Sequence, residues 1–573
     1  MECRSLPFRQ LPHQPQLFVQ FLEHFPAAQR FYPHPPTLAE IQSSAATLAY
    51  PRERRAEVYA VLREQNTVLG AGAATHANLG RFAKGALAVV SGQQVGLFSG
   101  PAYAIYKAVM AVQIAQELTQ AGQDAVPVFW MATEDHDLDE VRVANWFHAG
   151  KLRRFELPGN GEAGQPVGKI ALGPQVREMV EEAAGLLSAA GGEFLAQLLR
   201  ESYAPEETYG SAFGKLFARL FAAQGLILLD PLDARLHRIG APVLRGAIER
   251  RDELNEALLA RGKELEKAGF DAQVKVTARS TLLFKMCGGK REPISASNGR
   301  FFSGHVNGAG NEQASATASG QAGSPASGSA AAQFAAGASA GVSWTREELA
   351  EKVAAEAECF SPNALLRPVL QDYLLPTAAY IAGPAEIAYF AQAEVLYRRL
   401  LGRMPVVLPR AAYTILDARV EKLLQRYGLT VEDVWRGSQE LRRTMEAASV
   451  PQELGASFDK TLHEHERLLD ELQGQVVRLD ATLGGAVETA RKKIAFQLEK
   501  LKRKAGKAEA RKAGLIEAHQ EFLELWLYPH KTLQERELCF LPMLAGWGPE
   551  GLAELQRLAG SGGMAVHKVL RVP

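Results

Sequence analysis

Cysteine is scarce. Only Cys3, Cys287, Cys359 and Cys539 occur in 573 residues, far apart and with no C-x-x-C pair. That spacing suits reduced thiols better than a disulfide framework or a zinc site, and no local sequence supports a catalytic cysteine. Net charge is also missing: 64 basic residues face 64 acidic ones. Nothing global therefore argues for nucleic acid or an anionic membrane as partner. Long apolar runs are absent too, none approaching the roughly 20 residues that span a bilayer. The opening "MECRSLPFRQLPHQPQLF" has no apolar core behind its positive charges, so it reads as no secretory signal. The expected location is cytoplasmic.

What is present is the composition of a soluble globular protein, 47% hydrophobic and 22% charged, in a chain too long for one core. Five short apolar runs read as buried strands: 86–90, 126–132, 225–230, 378–383 and 404–409. Helical patterns separate them, at about 102–120, 175–200, 211–223 and 385–401. Strands alternating with helices predict an α/β fold with a parallel, doubly wound sheet. Ligands of such sheets sit at the carboxyl ends of the strands.

Two stretches depart from that rhythm. Residues 303–343 are largely Ser, Gly and Ala, too poor in apolar bulk to offset their ordering entropy, and read as a disordered surface insertion. After it, Thr345 and Glu348 have capping-box spacing for a helix start. From Leu454 to Leu501, apolar residues recur at alternating steps of three and four, the seam of a coiled coil. Gly484-Gly485 is the expected reversal point of an antiparallel α-helical hairpin. Its second arm is basic, from Arg491 to Lys512, but has no interleaved aromatics. It therefore reads as a solvated face balanced by the acidic first arm, or as a dimerisation surface, ahead of a nucleic-acid arm.

Three segments carry candidate chemistry. "SGQQVGLFSGP" joins a strand to a helix. Gly96 and Gly100 allow close backbone approach, and helix-start amides suit a phosphate or carboxylate. The loop is neither G-x-G-x-x-G nor a Walker loop, however. Gln93 and Gln94 suit an uncharged polar ligand or a phosphate edge; Tyr103 and Lys107 follow on the helix. "TEDHDLDE" sets Glu134, Asp135, His136 and Asp137, with Asp139 and Glu140, just beyond a buried strand. So many carboxylates repel unless a cation, an ammonium group or hydrogen bonds offset them. They could hold a divalent ion, grip an amine, or provide a general base; the plainer alternative is an acidic helix start. In "CFSPNALLRPVLQDYLLPTAAYIAGPAEIAYF", Asn363, Arg367 and Gln371 recur every four residues, with Pro368 as a potential interruption. Arg367 is a natural anion clamp, and Gly383 opens a helix bearing Glu386.

Those segments, together with "YPHKTLQERELCFLP" near the end, resemble the bacillithiol biosynthesis cysteine-adding enzymes, the BshC family. The resemblance covers the chain except for the Ser/Gly/Ala insertion. It implies a Rossmann-like catalytic core over 1–425 with connecting-peptide insertions, a coiled coil over 426–520 that pairs subunits as a homodimer, and a segment at 521–573 packing back on the core. It also implies a ligase that joins cysteine to the amine of glucosaminyl-malate, with ATP as cofactor and Mg2+ as the ion ATP would bring; no residue is assigned to a metal. The expected catalytic residues are Glu134, Asp135, His136 and Asp137. The expected binding residues are Gln93, Gln94, Gly96, Gly100, Tyr103, Lys107, Asn363, Arg367, Gln371, Gly383 and Glu386. The H-x-G-H and K-M-S-K-S segments of class I nucleotidyltransferases are missing, which loosens the place of ATP. The rival readings are a nucleotidyltransferase or kinase on another small molecule and a non-catalytic coiled-coil assembly protein.

Overall fold

The computed structural model describes residues 3–159, 161, 164–286, 289–303, 342–548 and 550–572. Five strands form its central parallel sheet: β1 (Leu87–Gln93), β2 (Ala125–Met131), β3 (Ile227–Leu229), β4 (Thr377–Ala382) and β5 (Val406–Pro409). Each coincides with one of the apolar runs. Nearly all their residues are buried, as parallel strands covered on both faces require. The spatial order is β5-β4-β1-β2-β3. The chain thus winds outward from β1 in one direction, then returns to build the other side. Between β1 and β4 the winding reverses, which is where sheets of this kind place a ligand crevice, beyond the strand ends.

Helix α1 (Tyr103–Gln120) crosses from β1 to β2 and is apolar almost all round, so it is buried. Lys107 is the exception inside it. The expected helix over 175–200 is two helices, Val176–Ala189 and Glu193–Ser202. Gly191 turns the chain with φ 83°, and a Cβ on Gly192 would lie 2.5 Å from that of Ala545. Close packing on the C-terminal segment therefore demands the break.

Helix α2 (Ala234–Glu249) follows β3. An antiparallel five-stranded sheet (Ser280–Lys285, Glu292–Ser297, Arg300–Ser303, Ser343–Trp344 and Phe360–Pro362) then precedes α3 (Arg367–Leu374) and β4. The insertion expected at 303–343 lies, at 304–341, outside the described residues. Its flanks pair, Ser343 with Phe302 and Trp344 with Phe301. The capping box forms: Glu348 N donates to Thr345 Oγ1 at 3.1 Å and Thr345 N to the Glu348 carboxylate at 2.7 Å.

One expectation is overturned in this region. Cys359 is half of a disulfide whose other half lies outside the described residues. Phe360–Pro362, the strand that follows Cys359, pairs antiparallel with Ser280–Lys285, so the chain folds back there. Cys3 and Cys539 are free thiols.

Helix α4 (Pro384–Leu400) joins β4 to β5. The coiled coil is α5 (Gln452–Leu479) and α6 (Gly484–Ala513). Its reversal comes slightly earlier than Gly484-Gly485. Asp480 Oδ1 accepts from Thr482 N at 2.8 Å and from its hydroxyl at 2.7 Å, and Gly484 is already helical. A side chain that closes its own turn replaces glycine freedom here. Charges of opposite sign join the arms, Arg491 to Asp470 at 2.6 Å and Lys502 to Asp459 at 2.7 Å. A small sheet of Tyr413–Leu416, Val566–Arg571 and Cys3–Pro7 ties both ends of the chain beside the core. Among the described residues, no helix is long and apolar enough to cross a membrane.

Candidate active site

Side chains from α1, β2, α2, α3 and α4 converge on the crevice at the sheet's switch point. Its β4 side is cationic. Lys107 is only 2% exposed. Its Nζ donates to Gly92 O and to Gln93 Oε1, both at 2.9 Å, and it is ion-paired with Glu386. Burial pulls the Lys107 pKa below the ordinary lysine value, although Glu386 works against that. Glu386 also accepts from Gly383 N at 2.7 Å and Tyr380 OH at 2.8 Å. Burial opposes its ionisation, yet Lys107 and the Gly383 amide outweigh that and hold its carboxyl low. Arg367 donates to Tyr389 OH at 2.9 Å, Gln371 Oε1 at 3.1 Å and Tyr380 OH at 3.4 Å. Glu386 is thus paired with Lys107 and only within electrostatic reach of Arg367, leaving one positive charge in excess.

The β2 side is acidic. Gln94 Nε2 bridges Asp135 Oδ2 at 3.2 Å and Glu140 Oε2 at 2.8 Å. Burial, then repulsion from Asp135 and Asp137, pushes the Glu140 carboxyl up to about 8. Arg291 reaches over from the antiparallel sheet, anchored on Ser361 Oγ at 3.1 Å and Pro362 O at 2.8 Å. Its Nη1 lies 3.4 Å from His136 Nδ1 and 3.7 Å from Asp135 Oδ1. Burial and then Arg291 hold His136 below its ordinary pKa, so the neutral ring, able to accept a proton, dominates near neutral pH. Beneath these groups, Glu134 meets His237, and Thr133 donates to Asp230.

Gln93, Gln94, Lys107, Glu134, Asp135, His136, Arg367 and Glu386 therefore come together. Tyr103 joins them through Gln93 Nε2 at 3.3 Å, with the Arg410 guanidinium 5.4 Å from its ring centre. Gln371 is buried and braces Arg367. Pro368 sits in the first turn of α3, where a missing N–H leaves the helix intact. Asp137 and Asn363 have other work. Asp137 caps the helix Leu138–Val141. Asn363 Oδ1 accepts from Leu365 N and Leu366 N at 3.1 and 3.0 Å, and Asn363 lines a separate small cavity with Arg251 and Asn255.

The loop glycines serve the packing of the loop itself. A Cβ on Gly96 would sit 2.8 Å from Gly100 Cα, so the glycines allow the loop to pack on itself. Three of its amides are already paired: Gly96 N to Gln94 O at 3.0 Å, Gly100 N to Leu97 O at 2.9 Å, and Ala102 N to Leu538 O at 2.8 Å. The Gly383 amide belongs to Glu386, and the next residue, Pro384, has no N–H. These paired amides of the β1 and β4 turns are thus not free for the phosphates of ATP. Among the described residues, no three His, Cys, Asp or Glu side chains are grouped to hold a metal.

Arg291, His237, Asp230 and Arg410 were not expected from the sequence. Each reaches the site across a long stretch of chain, and none stands in a local motif. Glu535, the partner of Arg410, does lie within the quoted "YPHKTLQERELCFLP".

Comparison with known proteins supplies the family. Residues 1–312 and 331–411 match the model of the bacillithiol biosynthesis BshC N-terminal Rossmann-like domain. Residues 413–571 match the BshC C-terminal coiled-coil domain. A protein of Koribacter versatilis named "Putative cysteine ligase BshC" is 40% identical, with 99% of each chain covered. Relatives of the same name from Solibacter usitatus and Salinibacter ruber are 38% and 31% identical, covering 96% and 95% of this chain. Both the Rossmann-like core and the coiled coil expected from the sequence are thereby accounted for, and the chain belongs to the bacillithiol biosynthesis BshC family.

Proposed function

We propose that the chain is a cysteine ligase that joins the carboxylate of cysteine to the amine of glucosaminyl-malate, the last step of bacillithiol assembly. The observation that carries this reading is the polarity of the crevice, with an excess cation at Lys107–Glu386–Arg367 facing an acidic patch at Asp135 and Glu140. An amine that also bears carboxylates matches both sides. Its ammonium group binds at Asp135 and Glu140. Glu140 accepts the proton that must leave before nitrogen can attack, and His136 is a second acceptor. Arg367 binds a carboxylate of malate or cysteine. A free carboxylate repels nucleophiles, so the cysteine carboxylate must be activated; in this reading ATP supplies that, bound away from the paired amides of the β1 and β4 turns. The Cys359 disulfide removes the cysteine-based argument for a reducing compartment, and a cytoplasmic location rests on the proposed reaction.

Purified Asp135→Asn and His136→Ala proteins, assayed for bacillithiol formation from glucosaminyl-malate, cysteine and ATP, are expected to lose most turnover. Near-normal rates in both would sink the assignment. In cells, deletion is expected to leave glucosaminyl-malate accumulated and bacillithiol absent.

The coiled coil pairs two subunits in this reading. Leu468 and Leu472 of α5 and Leu501 of α6 are about half exposed, which is costly for apolar side chains on one seam. Light scattering is expected to give a dimer mass for the wild type and a monomer mass for Leu468→Asp/Leu472→Asp. A monomeric wild type removes the dimer.

A further inference from the structure

His237 Nδ1 lies 2.9 Å from the carbonyl oxygen of Phe360. A carbonyl oxygen only accepts, so the hydrogen of this bond is on Nδ1. A neutral ring protonated there presents a bare lone pair at Nε2. Nε2 lies 3.2 Å from Glu134 Oε1, and both side chains are buried, 3% and 8% exposed. An ionised carboxylate at that distance would set lone pair against lone pair, away from water. One proton must lie between them, on either atom.

We propose that His237 and Glu134 share a single proton, so that the pair is neutral and leaves the Arg367 charge free for a substrate carboxylate. The carboxylate part rests on the function proposed above. His237, then Arg291 and more weakly Arg367, lie within electrostatic reach of Glu134 and favour its ionised form; Asp230 opposes it. Burial is the largest influence and raises the Glu134 pKa, in favour of the protonated form. Were Glu134 a bare anion, it would compete with any substrate carboxylate for the guanidinium. His237 is therefore a positioning residue. It also divides labour within one loop: the charge of Glu134 is cancelled within its pair with His237, while its neighbours Asp135 and Glu140 meet the amine.

The first test needs no reaction. In protein with ¹⁵N-labelled histidine, the signals missing from His237→Gln identify His237. They are expected to show Nδ1 protonated and an Nε2 resonance that moves in Glu134→Gln. An unmoved Nε2 resonance overturns the shared proton. The second test measures the affinity of the full chain for L-malate alone. Glu134→Gln, a permanent mimic of the neutral acid, is expected to bind malate within about threefold of wild type. If Glu134 were ionised, removing its charge would tighten binding by about tenfold, roughly the effect of one pK unit of interaction, and that result overturns the proposal. Raising the pH until the shared proton is lost is expected to weaken malate binding in the wild type but not in Glu134→Gln. If the histidine signals behave as stated but malate binds neither protein, the shared proton stands and the carboxylate reading of the site falls.

Discussion

Glu535→Ala is expected to destabilise the protein by about 3–5 kcal/mol, the usual result of stranding one partner of a buried ion pair. Arg410 and Glu535 are 4% and 3% exposed and meet through two contacts, at 2.5 and 3.0 Å. Glu535 also accepts from Tyr413 N at 3.0 Å. The other carboxylate within electrostatic reach of Arg410, Glu386, is already paired with Lys107. His567 is buried beside Glu535, but its pKa is pushed down to about 4, chiefly by burial. It is therefore neutral near pH 7 and offers no anion in any state. The guanidinium left behind would retain only its bond to Ala411 O. Arg410→Met/Glu535→Leu removes both charges and is expected to recover most of the loss, since apolar pairs of similar volume often replace buried ion pairs without penalty. Urea denaturation of the wild type, each single variant and the double variant measures the cycle. A Glu535→Ala protein within about 0.5 kcal/mol of wild type, the range of an ordinary surface change, would show that the pair is not holding the C-terminal segment. Activity is expected to fall as well. Arg410 N bonds Ala382 O at 2.7 Å, and the guanidinium lies over Tyr103. The segment after the coiled coil, through Glu535, therefore holds Arg410 against the site.

The parts legible in the sequence are those set by local pattern. Buried parallel strands are continuous apolar runs, and all five were visible as such. The alternating seam from Leu454 and the Thr345–Glu348 box are equally local. The loop around Gly96 was legible as a tight turn, but its amides are satisfied from within the loop and by Leu538, far along the chain, which no spacing rule reveals. The same limit hid Arg291, which enters the acidic cluster from 155 positions away. It also hid His237, whose importance depends on a carbonyl at Phe360. Tertiary partners decide which polar residues face a ligand and which only cap helices. On sequence alone, Asp137 and Asp135 were equivalent. In the fold, one caps a helix and the other lines the crevice.

Glu140→Gln is expected to lower turnover on the order of 10²–10⁴-fold, the contribution of a positioned general base. The substitution is nearly isosteric, and the new amide oxygen can still accept from Gln94, so the loss reads on chemistry and not on folding. The pH dependence makes the assignment specific. Burial and two neighbouring carboxylates hold the free enzyme's Glu140 protonated below about pH 8. The active form of a base is the ionised one, so kcat/KM, which reports the free enzyme, is expected to rise with pH through about 8 and then level. A bound ammonium group favours the ionised carboxylate. The kcat profile, which reports the complex, is therefore expected to rise at lower pH than kcat/KM. Ionisation of the substrate amine is common to wild type and variant, so the limb that disappears in Glu140→Gln belongs to Glu140. A variant that keeps the limb near pH 8 and turns over within a few-fold of wild type would move the base to His136 or Asp135. The high proton affinity has a purpose in this scheme. A carboxyl poised near the working pH can take a proton from an amine, whereas an ordinary glutamate, ionised from about pH 4.3 upward, would be too weak a base to do so. Crowding Asp135 and Asp137 around Glu140 thus raises its base strength, and the ammonium group of the substrate relieves the repulsion when it binds.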